Sequence, residues 1–188
     1  MNIIISPFEK ETYYFRSDST FIRAISDYYI PDYVKELSLV PVLAFRIDRA
    51  GKAVRQRFAM RYFGPFNYGI LLKFVIDEKF DSYREFIGNS MDYSTIVPKE
   101  LNALENFVSF LDNDRPLTIT INGLEKFRME QNPALSSLYG KFSLITDFCS
   151  VRTGDFLAYE LSDPIPLKKG YHILEHNGVT NTVDLLIN

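Results

Sequence analysis

Reactive side chains are scarce in this chain. It has one cysteine, Cys149, two histidines and no tryptophan in 188 residues. A single cysteine rules out an internal disulfide, which suits a reducing compartment. His172 and His176 are four residues apart in a segment that reads as a strand. That spacing puts them on one face but about 13 Å apart along it, too far to share a metal. Cys149 closes an apolar helical face with no histidine predicted beside it, which describes a buried, inert thiol. No glycine-rich phosphate cradle is present. No Lys/Arg run stands out, and the net charge is -3, so nucleic acid has no electrostatic footprint. No apolar stretch approaches the roughly 18 residues needed to cross a bilayer. "MNIIISPFEKE" lacks both the basic start and the long apolar core of a secretory signal. The expectation is a cytoplasmic protein without a membrane or nucleic-acid partner.

What the chain does have is a strand-like apolar pattern rich in Phe and Tyr, which suit pleated, half-buried surfaces. "MNIII" reads as a short strand, and "DYYIPDY" as an extended segment held by Pro31. "KELSLVPVLAFRID" reads as a strand kinked at Pro41, since proline belongs at a strand's edge, start or bulge. After the turn "RAGK", Val54, Phe58, Ala59 and Tyr62 share a helical face, predicting an amphipathic helix. "GPFNYGILLKFVI" resumes as an apolar strand. Asp77, Glu78, Asp81 and Glu85 form an acidic run that reads as a solvated face. "LTITI", then Asn122-Gly123, then "LEKFRM" predicts a hairpin with a type I′ turn. Leu138, Phe142, Ile145 and Cys149 predict a helix. "VRTGDFLAYEL" reads as a turn and strand, and a second hairpin is expected around Asn177-Gly178. The length suits one domain over residues 1–188.

The order of these segments resembles the catalytic domain of the fumarylacetoacetate hydrolase family. Arg16-Ser17-Asp18-Ser19 is similar to that family's K-P-D-S-A. Tyr29-Ile30-Pro31-Asp32-Tyr33 resembles F-I-P-D-F, and Arg46 to Lys52 resembles R-I-x-R-x-G-K. "RFAMRYF" (Arg57 to Phe63) is similar to F-A-x-R-Y-Y, and Gly69 to Lys73 stands where the family has G-I-D-F-T. "STIVPKEL", "TINGLEK" and "SVRTGDFLAYEL" follow in the family's order. The resemblance runs from about Tyr14 to the C-terminus, with residues 1–13 shortened or divergent. It implies an α+β, mostly β fold, a mixed β-roll or sandwich with two or three helices. It also implies a dimer, either a homodimer or a heterodimer with an active relative. Family members hold Mg²⁺, Mn²⁺ or Ca²⁺ through two glutamates and an aspartate, and cleave, decarboxylate or isomerise small 2-oxo or β-diketo acids.

In this register the two glutamates fall on Val40 and Val42, and the aspartate on Leu71. Hard cations need oxygen ligands, and these side chains offer none. Reassigning Glu36 as a ligand would pair it with Val34 and break the neighbouring matches. The family's pocket lysine falls near Glu85, the threonine of its N-T motif near Gln131, and the glycine-threonine of T-G-T on Glu160-Leu161. The general-base histidine of the N-terminal region has no counterpart. Without a metal, three clustered carboxylates repel one another, and each buried charge left unpaired costs several kcal/mol. Aliphatic replacements remove that penalty and add roughly 1.5–3 kcal/mol for each fully buried side chain. The expectation is a non-catalytic relative without a cofactor, serving a structural, regulatory or ligand-binding role. The alternative is a hydrolase, isomerase or decarboxylase of small oxo acids with a rebuilt pocket.

Overall fold

The computed structural model describes residues 1–23, 27–111, 117–129, 132–168, 170–176 and 183–187. In chain order the strands are β1 (Ile3–Ser6), β2 (Tyr14–Arg16), β3 (Phe21–Ile22), β4 (Asp27–Tyr28), β5 (Val34–Ile47), β6 (Phe63–Ile76) and β7 (Thr95–Ile96). They continue as β8 (Thr118–Ile121), β9 (Leu124–Arg128), β10 (Phe156–Glu160), β11 (Ile165–Leu167), β12 (Gly170–His176) and β13 (Val183–Ile187). Three α-helices, α1 (Arg84–Ser90), α2 (Phe107–Leu111) and α3 (Leu135–Phe148), lie among the described residues. One sheet runs β2-β1-β10-β5-β6-β7-β3, with β11 also pairing to β5, and a second runs β4-β13-β12-β8-β9. Most pairs are antiparallel; β1 with β10, β3 with β7 and β13 with β4 are parallel. This is the mostly β α+β fold expected. No helix among the described residues is long and apolar enough to cross a membrane.

The centre is the hairpin of β5 and β6, each 14 residues long. Both strands are apolar on successive residues because both faces are covered. Leu43, Phe45 and Ile47 enter one core, in which the Phe45 ring meets Phe63 at 4.7 Å, Phe66 at 5.7 Å and Phe107 at 4.9 Å. Val40, Val42 and Ala44 point into another, with Ile3, Ile5, Leu71, Val97, Phe156 and Ala158. A third core, around Leu37, Leu39, Ile70 and Leu72, joins the hairpin to the second sheet through Ile119 and Ile121.

Pro41 sits inside β5, and the β5–β6 register runs past it without a shift. The expected kink is absent for a reason that lies in the strand on the other side. There β10 pairs with Val42 to Arg46 and β11 with Leu37 to Leu39, leaving a break opposite Pro41. The Pro41 carbonyl faces that break, accepting from the Leu161 N–H at 2.9 Å. A residue's N and C=O point to the same side of an antiparallel strand, so the missing N–H falls where no ladder partner stands.

Two turns follow their chemistry. Asn122 (φ 53) and Gly123 (φ 74) both take positive φ between β8 and β9, as a type I′ turn requires. Strands β12 and β13 pair antiparallel as the second hairpin, while Asn177-Gly178 lies outside the described residues. The helix expected from Val54 onward is instead a 3₁₀ turn over Gln56–Arg61. Ala53 has φ 51 and Arg55 is extended, so the helix cannot start earlier. Phe63 already pairs with Ile47, and Gly64-Pro65 follow within β6, so it cannot continue. The helix expected around Leu138 is α3, which buries Leu138, Phe142 and Ile145; Cys149 caps it half-buried, its thiol donating to the Ile145 carbonyl at 3.3 Å.

At Gly69, β6 closely approaches the backbone of β7. A Cβ there would stand 2.7 Å from the Ile96 carbonyl oxygen and 3.4 Å from Val42. Because the obstacle is backbone, Gly69→Ala should lower stability by about 1–3 kcal/mol in urea denaturation, the usual range for overpacking. Gly88→Ala, which meets nothing within 4 Å, is the matched control and should not be penalised sterically.

Candidate functional site

The candidate site is the face of the first sheet that carries Val40, Val42 and Leu71. Val40 and Val42 alternate on β5, and Leu71 is the cross-strand partner of Val40 on β6. All three are 0% exposed and share one cluster. These three positions, which the sequence resemblance matches to carboxylates, therefore share one buried patch. Their aliphatic side chains provide no donor atom, so they do not fit a hard divalent cation. No group of three or more His, Cys, Asp or Glu among the described residues is placed to hold a metal ion.

Two residues beyond Leu71 on the same face stands Lys73, and opposite Val42 across the β5–β10 pairing stands Glu160. Their side chains meet at 2.7 Å, Lys73 being 29% exposed and Glu160 only 3%. The carboxylate also accepts from the Tyr14 hydroxyl at 2.9 Å and from the Phe8 N–H at 3.3 Å. Three donors thus hold one nearly buried anion. The Tyr14 hydroxyl is pushed far above its ordinary pKa, first by burial and then by the Glu160 charge, so it remains a proton donor.

Arg16, buried on β2 beside Ile3, completes the polar rim. Its guanidinium donates to the Ser94 carbonyl at 2.9 Å, the Thr95 hydroxyl at 3.1 Å and the Leu72 carbonyl at 2.6 Å. Burial pulls its pKa down, while Tyr14 and Glu160 act in the opposite direction. Thr95, opposite Leu71, also shares a hydrogen bond with Thr20 at 3.0 Å. The face is therefore an apolar floor bounded by the Lys73–Glu160 ion pair and by Arg16, whose terminal nitrogens bond neutral oxygens while its Nε has no partner among the described residues.

Of the other positions singled out in the sequence, Glu160 belongs to this cluster. Glu85 is an exposed side chain in the first turn of α1 and makes no hydrogen bond or ion pair to the cluster. Gln131 lies outside the described residues. His172 and His176 both fall in β12. Tyr14, Arg16 and Lys73 are members of this cluster that the sequence reading does not place there. The available signal was Lys73 in phase with Leu71 at the end of an apolar run, where alternation puts both on one face. A cleft of about 720 Å³ adjoins the cluster where Lys73 reaches solvent, lined also by Leu37, Ser38, Val75 and Pro166.

No protein-family model and no curated protein matches the sequence. Solved structures do match the fold. A fumarylpyruvate hydrolase from Pseudomonas aeruginosa, in complex with Mn²⁺ and pyruvate, superposes with a TM-score of 0.76 at 12% identity, covering 100% of this chain and 90% of that one. A 5-carboxymethyl-2-hydroxymuconate delta-isomerase from Mycobacterium smegmatis gives 0.74 at 13% identity, over 99% and 78% of the two chains. A protein from Yersinia pestis CO92 described as of the fumarylacetoacetate hydrolase family gives 0.70 at 17% identity, over 100% and 92%. At these identities the likeness establishes the fold.

The Lys73–Glu160 pair generates a double-mutant test. Lys73→Met leaves the Glu160 carboxylate nearly buried with only neutral donors, and should destabilise the protein by several kcal/mol, somewhat reduced by the partial exposure of Lys73. Glu160→Leu strands the ammonium at the cleft mouth and should cost less. The double variant should recover much of the Lys73→Met loss, because replacing both charges removes the unpaired one. Chemical denaturation of the four proteins measures the coupling; strict additivity would contradict a coupled pair.

Proposed function

We propose that this chain is a divergent, non-catalytic member of the fumarylacetoacetate hydrolase family that has lost the divalent-metal site and serves a structural, regulatory or ligand-binding role. The observation that carries this reading is the aliphatic cluster. Val40, Val42 and Leu71, on the positions that align with the family's carboxylates, are packed together without exposure. The chemistry of the family depends on a metal that polarises the substrate's oxygens and stabilises the charge that develops. Here the Lys73 ammonium is already engaged by Glu160, and the Arg16 guanidinium by the Leu72 and Ser94 carbonyls and the Thr95 hydroxyl. The Tyr14 hydroxyl is committed to the Glu160 carboxylate, and the Thr95 hydroxyl bonds Arg16 and Thr20.

This exchange is physically coherent. A metal site concentrates negative charge that is tolerable only while the cation is bound. Three aliphatics avoid that penalty, because nonpolar surface is buried where the carboxylates would repel, and Glu160 beside them is paired with Lys73. A small ligand, where one is bound, has its natural place in the cleft beside Lys73, which offers an apolar wall and an ammonium. The proposed assembly is a two-fold homodimer, or a heterodimer with a metal-binding relative.

Thermal melts test the reading. A ligand that binds only the folded state stabilises by RT ln(1 + [L]/Kd), about 2.7 kcal/mol at a hundredfold excess over Kd. The wild type should show no such shift with millimolar Mg²⁺ or Mn²⁺, and no metal-dependent turnover of oxaloacetate or acylpyruvates. The triple variant Val40→Glu, Val42→Glu, Leu71→Asp should be less stable without metal, since three charges enter an apolar site. Mn²⁺ should restore part of that stability. A wild-type melting temperature that rises with either ion would overturn the proposal whether or not the triple variant folds.

A further inference from the structure

The chain's charges are gathered at two places that the net value of -3 conceals. The end of β5 and its connection to β6 carry Arg46, Arg49, Lys52, Arg55, Arg57 and Arg61 against a single acid, Asp48. All six side chains are exposed. Arg46 is engaged by Asp48 at 3.0 Å; the other five make no ion pair among the described residues. Arg57 and Arg61 both lie over the Phe58 ring, at 4.7 and 4.8 Å from its centre, so one aromatic ring holds two guanidinium groups. Such stacking fixes guanidinium groups in place before any partner arrives.

Beyond the opposite, open end of the same hairpin is a groove of about 670 Å³ between residues 28–33 and 86–93. A 14-residue strand spans roughly 45 Å, so the two features are well separated. Its walls carry Tyr29 and Phe86, each 73% exposed, and Tyr93, 54% exposed. Exposed aromatics gathered in one groove mark an interaction surface. Tyr93 has φ 58, a strained conformation for a bulky side chain, and its ring gains no core burial in exchange. The flanking segments are acidic. Asp32, Glu78, Glu85 and Asp92 make no ion pair among the described residues, whereas Asp77 and Asp81 are engaged by Lys35 and Arg84.

A two-fold contact through this groove would set acidic rim against acidic rim. The complementary surface is the arginine-bearing connection of the same chain. We propose that this connection, centred on Arg55, Arg57 and Arg61, docks in the aromatic groove of a second copy. The contact is heterologous, head to tail, so it extends into chains or closes into rings. Arginine over tyrosine and phenylalanine supplies cation–π contact, and the acidic rim steers the approach.

Sedimentation velocity over a concentration series, at low and at high salt, tests this. The wild type should grow with concentration at low salt and return at high salt to a smaller species, since exposed charges are screened. Growth is measured above the species that persists at high salt, so a salt-resistant two-fold dimer does not imitate it. One variant, Arg55→Glu/Arg57→Glu/Arg61→Glu, removes the basic surface; another, Tyr29→Ala/Phe86→Ala, removes the groove wall. These residues are exposed, so circular dichroism and melts should match the wild type. Each variant alone should associate at least tenfold more weakly than the wild type. Mixed in equal amounts they should associate again, because each supplies the surface that the other lacks. A wild-type mass independent of salt and concentration, or a mixture no larger than its components, would overturn the proposal.

Discussion

Burial of the β5–β6 hairpin on both faces is the constraint on which the rest of the molecule depends. Two long strands with few polar side chains must be covered above and below, and three clusters do so. Parallel pairing of β1 onto β10, antiparallel pairing of β10 and β11 onto β5, and the second sheet packed through Ile119 and Ile121 all serve that burial. The site face is one of these covered faces. Its character as floor or as pocket is set by which side chains alternate along β5 and β6, and here they are aliphatic up to Lys73.

The polar rim shows how a fold keeps charges near such a floor. Glu160 is almost entirely buried, yet it has an ammonium, a phenol and a backbone amide within hydrogen-bond reach. Arg16 donates through both terminal nitrogens to carbonyl and hydroxyl oxygens, while its Nε has no partner among the described residues. Buried charge is tolerable when its partners are held in place, and costly when one is missing. Together these groups tie β2, β6, β7 and β10 to one another around the aliphatic cluster.

Much of this was legible in the sequence, and the limits have physical causes. Strong local signals carried through: the alternating "LTITI" with Asn122-Gly123, the period of Leu138, Phe142 and Ile145, and the apolar runs of β5 and β6. The 3₁₀ turn at Gln56–Arg61 defeated periodicity because a few residues cannot distinguish helix types, and strand pairing claimed Phe63. Pro41 was misjudged because its tolerance depends on a break between β10 and β11, more than a hundred residues away. Val40, Val42 and Leu71 are grouped by the register of the family resemblance, and the structure brings them into one cluster. The Lys73–Glu160 contact could not be read that way, since it needs the β5–β10 register. The arginines from Arg46 to Arg61 are too spaced in sequence to look like a basic run, and only the fold gathers them.

The account turns on whether a divalent cation has any place beside Val40, Val42 and Leu71. Anomalous diffraction at the manganese edge, from crystals grown in millimolar Mn²⁺, addresses this directly. The account predicts no manganese peak near these side chains and an intact Lys73–Glu160 contact. A peak there, with Glu160 turned away from Lys73 to ligate the ion, would contradict it.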